Sequence, residues 1–489
     1  MDHFHGQADH VGCCRREFLQ MVSIAASSVT VLAEGPDALA AAQEAGSDKE
    51  PARVEGCFVY VPSDILRRKG YWSWPGSSFD PEEQHKRYQK HIGQMAKKPG
   101  MRVTMQPDPV HSHDGVARFL RRVNKSDPDA VLVVCFKKRQ WNRVMSILNE
   151  VEAPAIVVAP TGVLLSGHVR DLHERTGVHL ISTAGDRDRP DIFPPLEDAL
   201  NMVGPRRCLQ QASIVNLHGS RRQEAEVGTL GTRVRTVPLG LFVKRFQDMD
   251  TTDRVKQLAR TYRSEARDIV EPSRSDVVDG AKSYFLLKQI TQEEDGDAMM
   301  MTCLPGLSKP HEHPPPCMGF MSLRDEGIPA GCQSDLNATL TMLLVQKLFG
   351  KPGFQQNAAM DTVRNEYYGA HCTCASKMAG VGGESEPFLL RSHSEAGWGC
   401  VPQVLFPEGQ PVTMAKYHSG DDPEMIIYSG QVTRCFPGST AGCRTNVQLD
   451  INEVDDVCDI QGMHQIIFYG DHADQLRTFC RLHGISVVT

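Results

Sequence analysis

The stretch that decides the fold begins Met299-Met300-Met301-Thr302-Cys303, turns at Pro305-Gly306 into the polar loop Lys309-Pro310-His311-Glu312-His313-Pro314, and resumes at Gly331-Cys332-Gln333-Ser334-Asp335. A short apolar run bounded by proline and glycine reads as a buried strand that delivers its carboxyl end to a site. After Asp335, the residues Leu336, Leu340, Leu343, Leu344 and Leu348 share one helical face, Ser334 or Asp335 can cap the start, and Gly350 with Pro352 supplies the stop. The N-terminus of that helix presents Gln333, Ser334 and Asp335 beside free backbone N–H groups, where polar and anionic groups are favoured. Farther on, Tyr367-Tyr368-Gly369-Ala370-His371-Cys372 reads as a strand with a histidine at its end.

Toward the N-terminus, strands and helices alternate. Gly56 to Val61, Met101 to Met105, Ala130 to Cys135 and Ala155 to Val158 are strand runs, separated by a helix opened by Asp80-Pro81-Glu82-Glu83 and by helices over Val116 to Val123 and Arg139 to Glu150. Continuous apolar strands between helices predict a parallel sheet buried on both faces, with ligands beyond the strands' carboxyl ends. No glycine-rich dinucleotide fingerprint follows any of them. A second unit starts near Pro190, with strands at Ser213 to Leu217 and Arg233 to Leu239 and helices at Asp253 to Arg267 and Asp276 to Gln292. Beyond His371, short strands at Pro387 to Leu390, Val401 to Phe406, Pro411 to Tyr417, Met425 to Tyr428, Gln431 to Cys435 and Thr445 to Leu449 predict an antiparallel barrel or sandwich. The chain closes with Gly462-Met463-His464, a strand to Tyr469, a helix to Leu482 and a last strand. The expected organisation is therefore α/β plus β: an N-terminal α/β domain over residues 52–188, a second parallel-sheet α/β domain over 189–350, and a β-rich, barrel-like domain over 351–489.

The composition is that of a globular protein. With 40% hydrophobic and 23% charged residues the chain can bury large cores, and a net charge of −7 without basic blocks gives nucleic acid no footprint. The 15 cysteines are odd in number and lack paired C-x-x-C spacing, so most read as buried thiols. Near the start, Cys14-Arg15-Arg16-Glu17-Phe18-Leu19-Gln20 precedes a mildly apolar run to Ala33 and the small residues Ala38-Leu39-Ala40. Residues 1–45 thus resemble a twin-arginine export signal and linker, the alternative being a disordered tail that holds an arginine pair. The resemblance implies the twin-arginine export machinery as a partner and a periplasmic location. The run is too short and polar for a membrane span, which takes about 20 apolar residues.

The order of the three parts, with Gly331-Cys332-Gln333-Ser334-Asp335-Leu336-Asn337, Gly350-Lys351-Pro352-Gly353-Phe354, Gly369-Ala370-His371-Cys372 and Gly462-Met463-His464, resembles the L-fucose isomerase and L-arabinose isomerase superfamily from residue 298 onward. That resemblance implies interconversion of aldose and ketose through an enediol on a divalent ion, usually Mn²⁺. A hard ion polarises the carbonyl while carboxylates shuttle the proton. By motif, Asp335 matches the acidic residue at the helix start, a catalytic and metal-binding position, His464 matches the C-terminal metal histidine, and His371 matches the histidine ending the same strand. The resemblance also implies a closed homo-oligomer.

The sequence departs from that pattern. No acidic residue stands at Thr302-Cys303, and Gln333 occupies a glutamate's place, where an amide can ligate but cannot act as a base. Glu312 is the possible substitute ligand, or else part of a solvated loop. Asp335 is either a metal ligand or a simple N-cap. Trp72 and Trp74, in the loop Tyr71-Trp72-Ser73-Trp74-Pro75-Gly76, can stack on a sugar or plug a domain interface. Arg391, His393 and Trp398 can meet sugar hydroxyls or form a surface turn. Two functions stay open: a divalent-metal-dependent aldose–ketose isomerase, and a catalytically degenerate relative that binds a sugar without isomerising it.

Overall fold

In the computed structural model, residues 50–97, 100–184, 192–228, 230–308, 312–436 and 442–489 are described. The export-signal segment and His311 lie outside them. The first sheet contains β1 (Ala52–Val59), β2 (Met101–Met105), β3 (Ala130–Cys135), β4 (Ala155–Ala159) and β5 (Val178–Ser182), all parallel in the order β2-β1-β3-β4-β5. The apolar runs of β3 and β4 are buried along their full length, as central strands covered on both faces must be. The sequence VHLIS of β5 gave no such run because β5 is an edge strand, buried at only two of its five positions. Asp80 caps the helix Pro81–Met95 as expected, accepting from the Glu83 N–H at 2.9 Å.

The second sheet is built from β6 (Ser213–Leu217), β7 (Gln223–Val227), β8 (Thr232–Val237), β10 (Ala298–Met301) and β11 (Ala330–Cys332), in the order β11-β10-β6-β8-β7. The intervening β9 (Asp268–Ile269) belongs elsewhere. All neighbours are parallel except β7, a polar edge strand whose sequence QEAEV carries no apolar signal. β10 is wholly buried and ends at the site, as its composition predicted.

The C-terminal part contains β12 (Phe354–Asp361), β13 (Glu366–His371), β14 (Phe388–Arg391), β15 (Val401–Val404), β16 (Pro411–His418), β17 (Glu424–Cys435), β18 (Thr445–Ile451), β19 (Gln465–Tyr469) and β20 (Ser486–Val488). Six of these strands close an antiparallel barrel in the order β16-β19-β12-β13-β18-β17, with β17 pairing back onto β16. Closure gives each of the six a neighbour on both sides, and β20 adds to β17 as a short parallel edge strand. The runs Met425 to Tyr428 and Gln431 to Cys435, expected as two strands, are one strand, β17, that passes from β16 to β18. Gly430 permits the crossing, since a Cβ there would stand 2.1 Å from the Asp450 carbonyl oxygen.

The first two sheets, the barrel and a small sheet of order β15-β14-β9 are tied together rather than strung in series. Strand β9, from the middle of the chain, pairs with β14 beside the barrel. The helix Ala473–His483 returns to the first sheet, where Arg481 accepts from the Gly177 N–H at 3.2 Å and His483 Nε2 donates to the Met202 carbonyl at 2.9 Å. One hydrophobic cluster accordingly runs through Phe58, Val134, Ile214, Leu340, Phe468 and Phe479. The hydrophobic cluster runs across the boundaries expected near residues 188 and 350, and the pairing of β9 with β14 also crosses the second of them. Among the described residues, no helix is long and apolar enough to cross a membrane.

Candidate functional site

The carboxyl ends of β6, β10 and β11 meet the barrel at a strained turn. Gln333 and Ser334 follow β11 with φ of 58° and 52°, two consecutive left-handed residues with neither a glycine, and His464 before β19 has φ of 57°. Such conformations cost about 1–3 kcal/mol each and persist only where surrounding contacts impose them. Here the contacts are explicit. Gln355 of β12 brackets Cys332, accepting from its N–H at 2.9 Å and donating to its carbonyl at 3.2 Å. The Ser334 N–H donates to the Met301 carbonyl, and that of Asp335 to the Cys332 carbonyl.

The turn aligns a row of polar side chains. Ser334 Oγ donates to Asn216 Oδ1 at 2.8 Å and lies 2.7 Å from Thr302 Oγ1, which in turn lies 2.7 Å from His218 Nδ1. With the proton on His218 Nδ1, every member donates in one direction, from His218 through Thr302 and Ser334 to Asn216. Beside the row opens a cavity of about 680 Å³ lined by Asn216, Glu226, Ser334, Leu336, Ser419 and Asp421, with Val227, Val234 and Met300 as apolar floor. Ser334 and Leu336 are the two neighbours of Asp335.

Asp335 is the N-cap of the helix Leu336–Phe349, its Oδ1 accepting from the Ala338 N–H at 2.8 Å. Its Oδ2 accepts from Lys416 Nζ at 2.8 Å and from His464 Nδ1 at 2.8 Å. Burial works against ionisation of Asp335, but the His464 hydrogen bond and the Lys416 charge together hold its carboxyl well below the usual carboxylate range. Burial correspondingly lowers Lys416, with Asp335 opposing that shift. His371 ends β13, its ring 5.6 Å from that of His464. Burial, followed by the charges of His464, Arg324 and His393, pushes His371 down to about 3. Its Nδ1 takes hydrogen bonds from the Thr373 N–H at 3.2 Å and the Thr373 hydroxyl at 2.9 Å.

Asp335, His464 and His371 are thus brought together, yet they do not fit a divalent ion. An ammonium already occupies Asp335 Oδ2, and His371 Nδ1 faces Thr373. Among the described residues, no three His, Cys, Asp or Glu side chains are arranged to hold a metal. Gln333 is exposed and lines, with His371 and His393, a separate cavity of about 30 Å³. Glu312 lies half-buried beside His313 in the loop after β10, not among the partners of the Asp335 oxygens.

The remaining candidates are not among the residues that line the larger cavity. Arg391 is buried and donates from Nε and a terminal nitrogen to Glu271, at 2.8 and 2.6 Å, and to Gln403 at 2.7 Å. His393 Nδ1 accepts from the Ala396 N–H in its own turn, and Trp398 Nε1 donates to the Leu307 carbonyl at 3.3 Å. Trp74, 56% exposed, donates to the Thr161 carbonyl after β4, so the Trp72–Trp74 loop borders the first sheet's carboxyl end. Lys416, Asn216, His218 and the Thr302 hydroxyl went unread in the sequence. A lone lysine inside the apolar strand PVTMAKYH was the available signal, because a buried ammonium requires a partner.

No protein-family model matches the chain, and none of the curated proteins compared with it is significantly similar in sequence.

Proposed function

We propose that this protein binds a neutral carbohydrate or polyol in the cavity between the second sheet and the barrel. The observation that carries this reading is the lining itself: an amide, two hydroxyls and two carboxylates set around Val227, Val234, Met300 and Leu336, with no lysine or arginine among the described lining residues. Carboxylates and amides pair with hydroxyl groups, apolar side chains cover C–H faces, and Glu226 with Asp421 repels sugar phosphates and sugar acids. Asp335, held by Lys416 and His464, stands between the lining residues Ser334 and Leu336.

Calorimetry with neutral aldoses, ketoses and polyols, with sugar phosphates as controls, tests this reading. Binding of a neutral member that weakens in Asn216→Ala supports it. Equal binding of phosphorylated sugars, or none by any neutral sugar, would sink it.

The contact between Asp335 and His464 favours a second reading, aldose–ketose isomerisation through an enediol. Against it stands the low basicity of Asp335, since an effective general base has a pKa near the working pH. Deuterium uptake at C2 of the bound sugar in D₂O separates isomerisation from binding alone. The N-terminal resemblance further supports export by the twin-arginine route, which replacing Arg15 and Arg16 with lysine should block in a cell-fractionation assay.

A further inference from the structure

Five cysteines from distant parts of the chain, Cys303, Cys317, Cys332, Cys372 and Cys443, line the cavity of about 30 Å³ behind the strained turn. Two pairs of them touch, Cys372 with Cys443 and Cys303 with Cys332; in the second pair the Sγ atoms are 3.6 Å apart, with Cys303 and Cys332 1% and 4% exposed. They sit at the exits of adjacent parallel strands, Cys332 in register with Met301 and Cys303 two residues farther along. The two thiols differ in character. Hydrogen bonds from the Cys332 thiol and the Gln333 backbone favour the Cys303 thiolate against burial, whereas the same contact and burial push Cys332 up. A lowered thiol beside a second thiol is the arrangement of a nucleophile and its resolving partner. At about 30 Å³ the cavity is roughly twice the ~10–15 Å³ that one water needs, which shuts out glutathione-sized disulfides but admits a small peroxide.

We propose that Cys303 and Cys332 form a peroxide-oxidisable dithiol. The Cys303 thiolate attacks one oxygen of hydrogen peroxide, the O–O bond breaks, and the products are a Cys303 sulfenic acid and hydroxide. The Cys332 sulfur then attacks the sulfenic sulfur and gives up its proton to the departing hydroxyl, leaving a disulfide and water. Two electrons pass from the pair to the peroxide. The new bond joins the exits of β10 and β11, immediately beside Thr302 and Gln333.

The test uses the reduced full-length wild type, treated with stoichiometric hydrogen peroxide, quenched in acid, alkylated under denaturing conditions and mapped by mass spectrometry. The expected result is a peptide pair cross-linked through Cys303 and Cys332 and a fall from 15 alkylatable thiols to 13. Cys332→Ser should instead leave a Cys303 sulfenic acid that a dione probe captures. Recovery of both residues fully alkylated, or a cross-link through Cys317, Cys372 or Cys443 in their place, would overturn the proposal. The wild-type map decides even if a serine variant fails to fold.

Discussion

Lys416 Nζ stands 2.8 Å from Asp335 Oδ2, a buried ammonium on the cap of the helix that organises the site. The two residues lie 81 positions apart, one at the exit of the second sheet and one inside the barrel wall. The contact therefore couples the stability of both parts. Removing Asp335 strands a buried charge, so Asp335→Ala should cost about 3–5 kcal/mol. In a urea double-mutant cycle, Asp335→Asn combined with Lys416→Met should lose clearly less than the sum of its two single changes. Additive losses would refute direct coupling.

Because Lys416 already neutralises Asp335, the wild type should keep its Tm after exhaustive chelation and gain none on addition of Mn²⁺. Lys416→Met removes the resident cation and is the variant in which Mn²⁺ should raise the Tm. A manganese-dependent rise in the wild type, read by scanning calorimetry, would contradict the assignment of Lys416 as the cation of this site.

Buried neutral histidines set the acid response. Burial lowers His371 to about 3 and His483 to about 4, and both are nearly inaccessible to solvent. In the unfolded chain such groups take a proton near pH 6.5, roughly 2.5 to 3.5 units earlier than in the fold. Their contribution is therefore complete above about pH 6.5 and is lost as the pH falls from there toward the folded values, by about 1.4 kcal/mol per pH unit for each histidine. Urea midpoints measured from pH 7 to pH 5 should decline, and His371→Asn should flatten the decline.

The strained turn separates stability from recognition. Gln333→Gly removes an exposed side chain from a left-handed position and should stabilise the fold by about 1 kcal/mol. Ser334→Gly relieves the same strain but breaks the row from His218 to Asn216, so it should gain less stability and weaken neutral-sugar binding about tenfold. Thermal melts and calorimetry on the two variants give the comparison.

Arg391 behaves as a strut. Replacing it with alanine removes its hydrogen bonds to Glu271 and Gln403 and should lower stability by about 2–3 kcal/mol. Carbohydrate affinity should stay unchanged in calorimetry on the folded variant. A selective loss of affinity would return Arg391 to the binding surface.

Local physics was legible in the sequence alone. The apolar runs of β3, β4 and β10 announced buried parallel strands, Asp80 and Asp335 announced helix caps, and turn residues spaced the strands of the barrel. Each depends on neighbours within a few positions, and burial periodicity is written at that range. The edge strands β5 and β7 were missed because an edge needs no continuous apolar run. Only the tertiary structure decided that Lys416 and His464 meet Asp335, that Ser334 reaches Asn216, and that Cys303 touches Cys332. A buried charge or thiol requires a partner, and the order in which strands pack, not the order in which they are written, determines which residue that partner is.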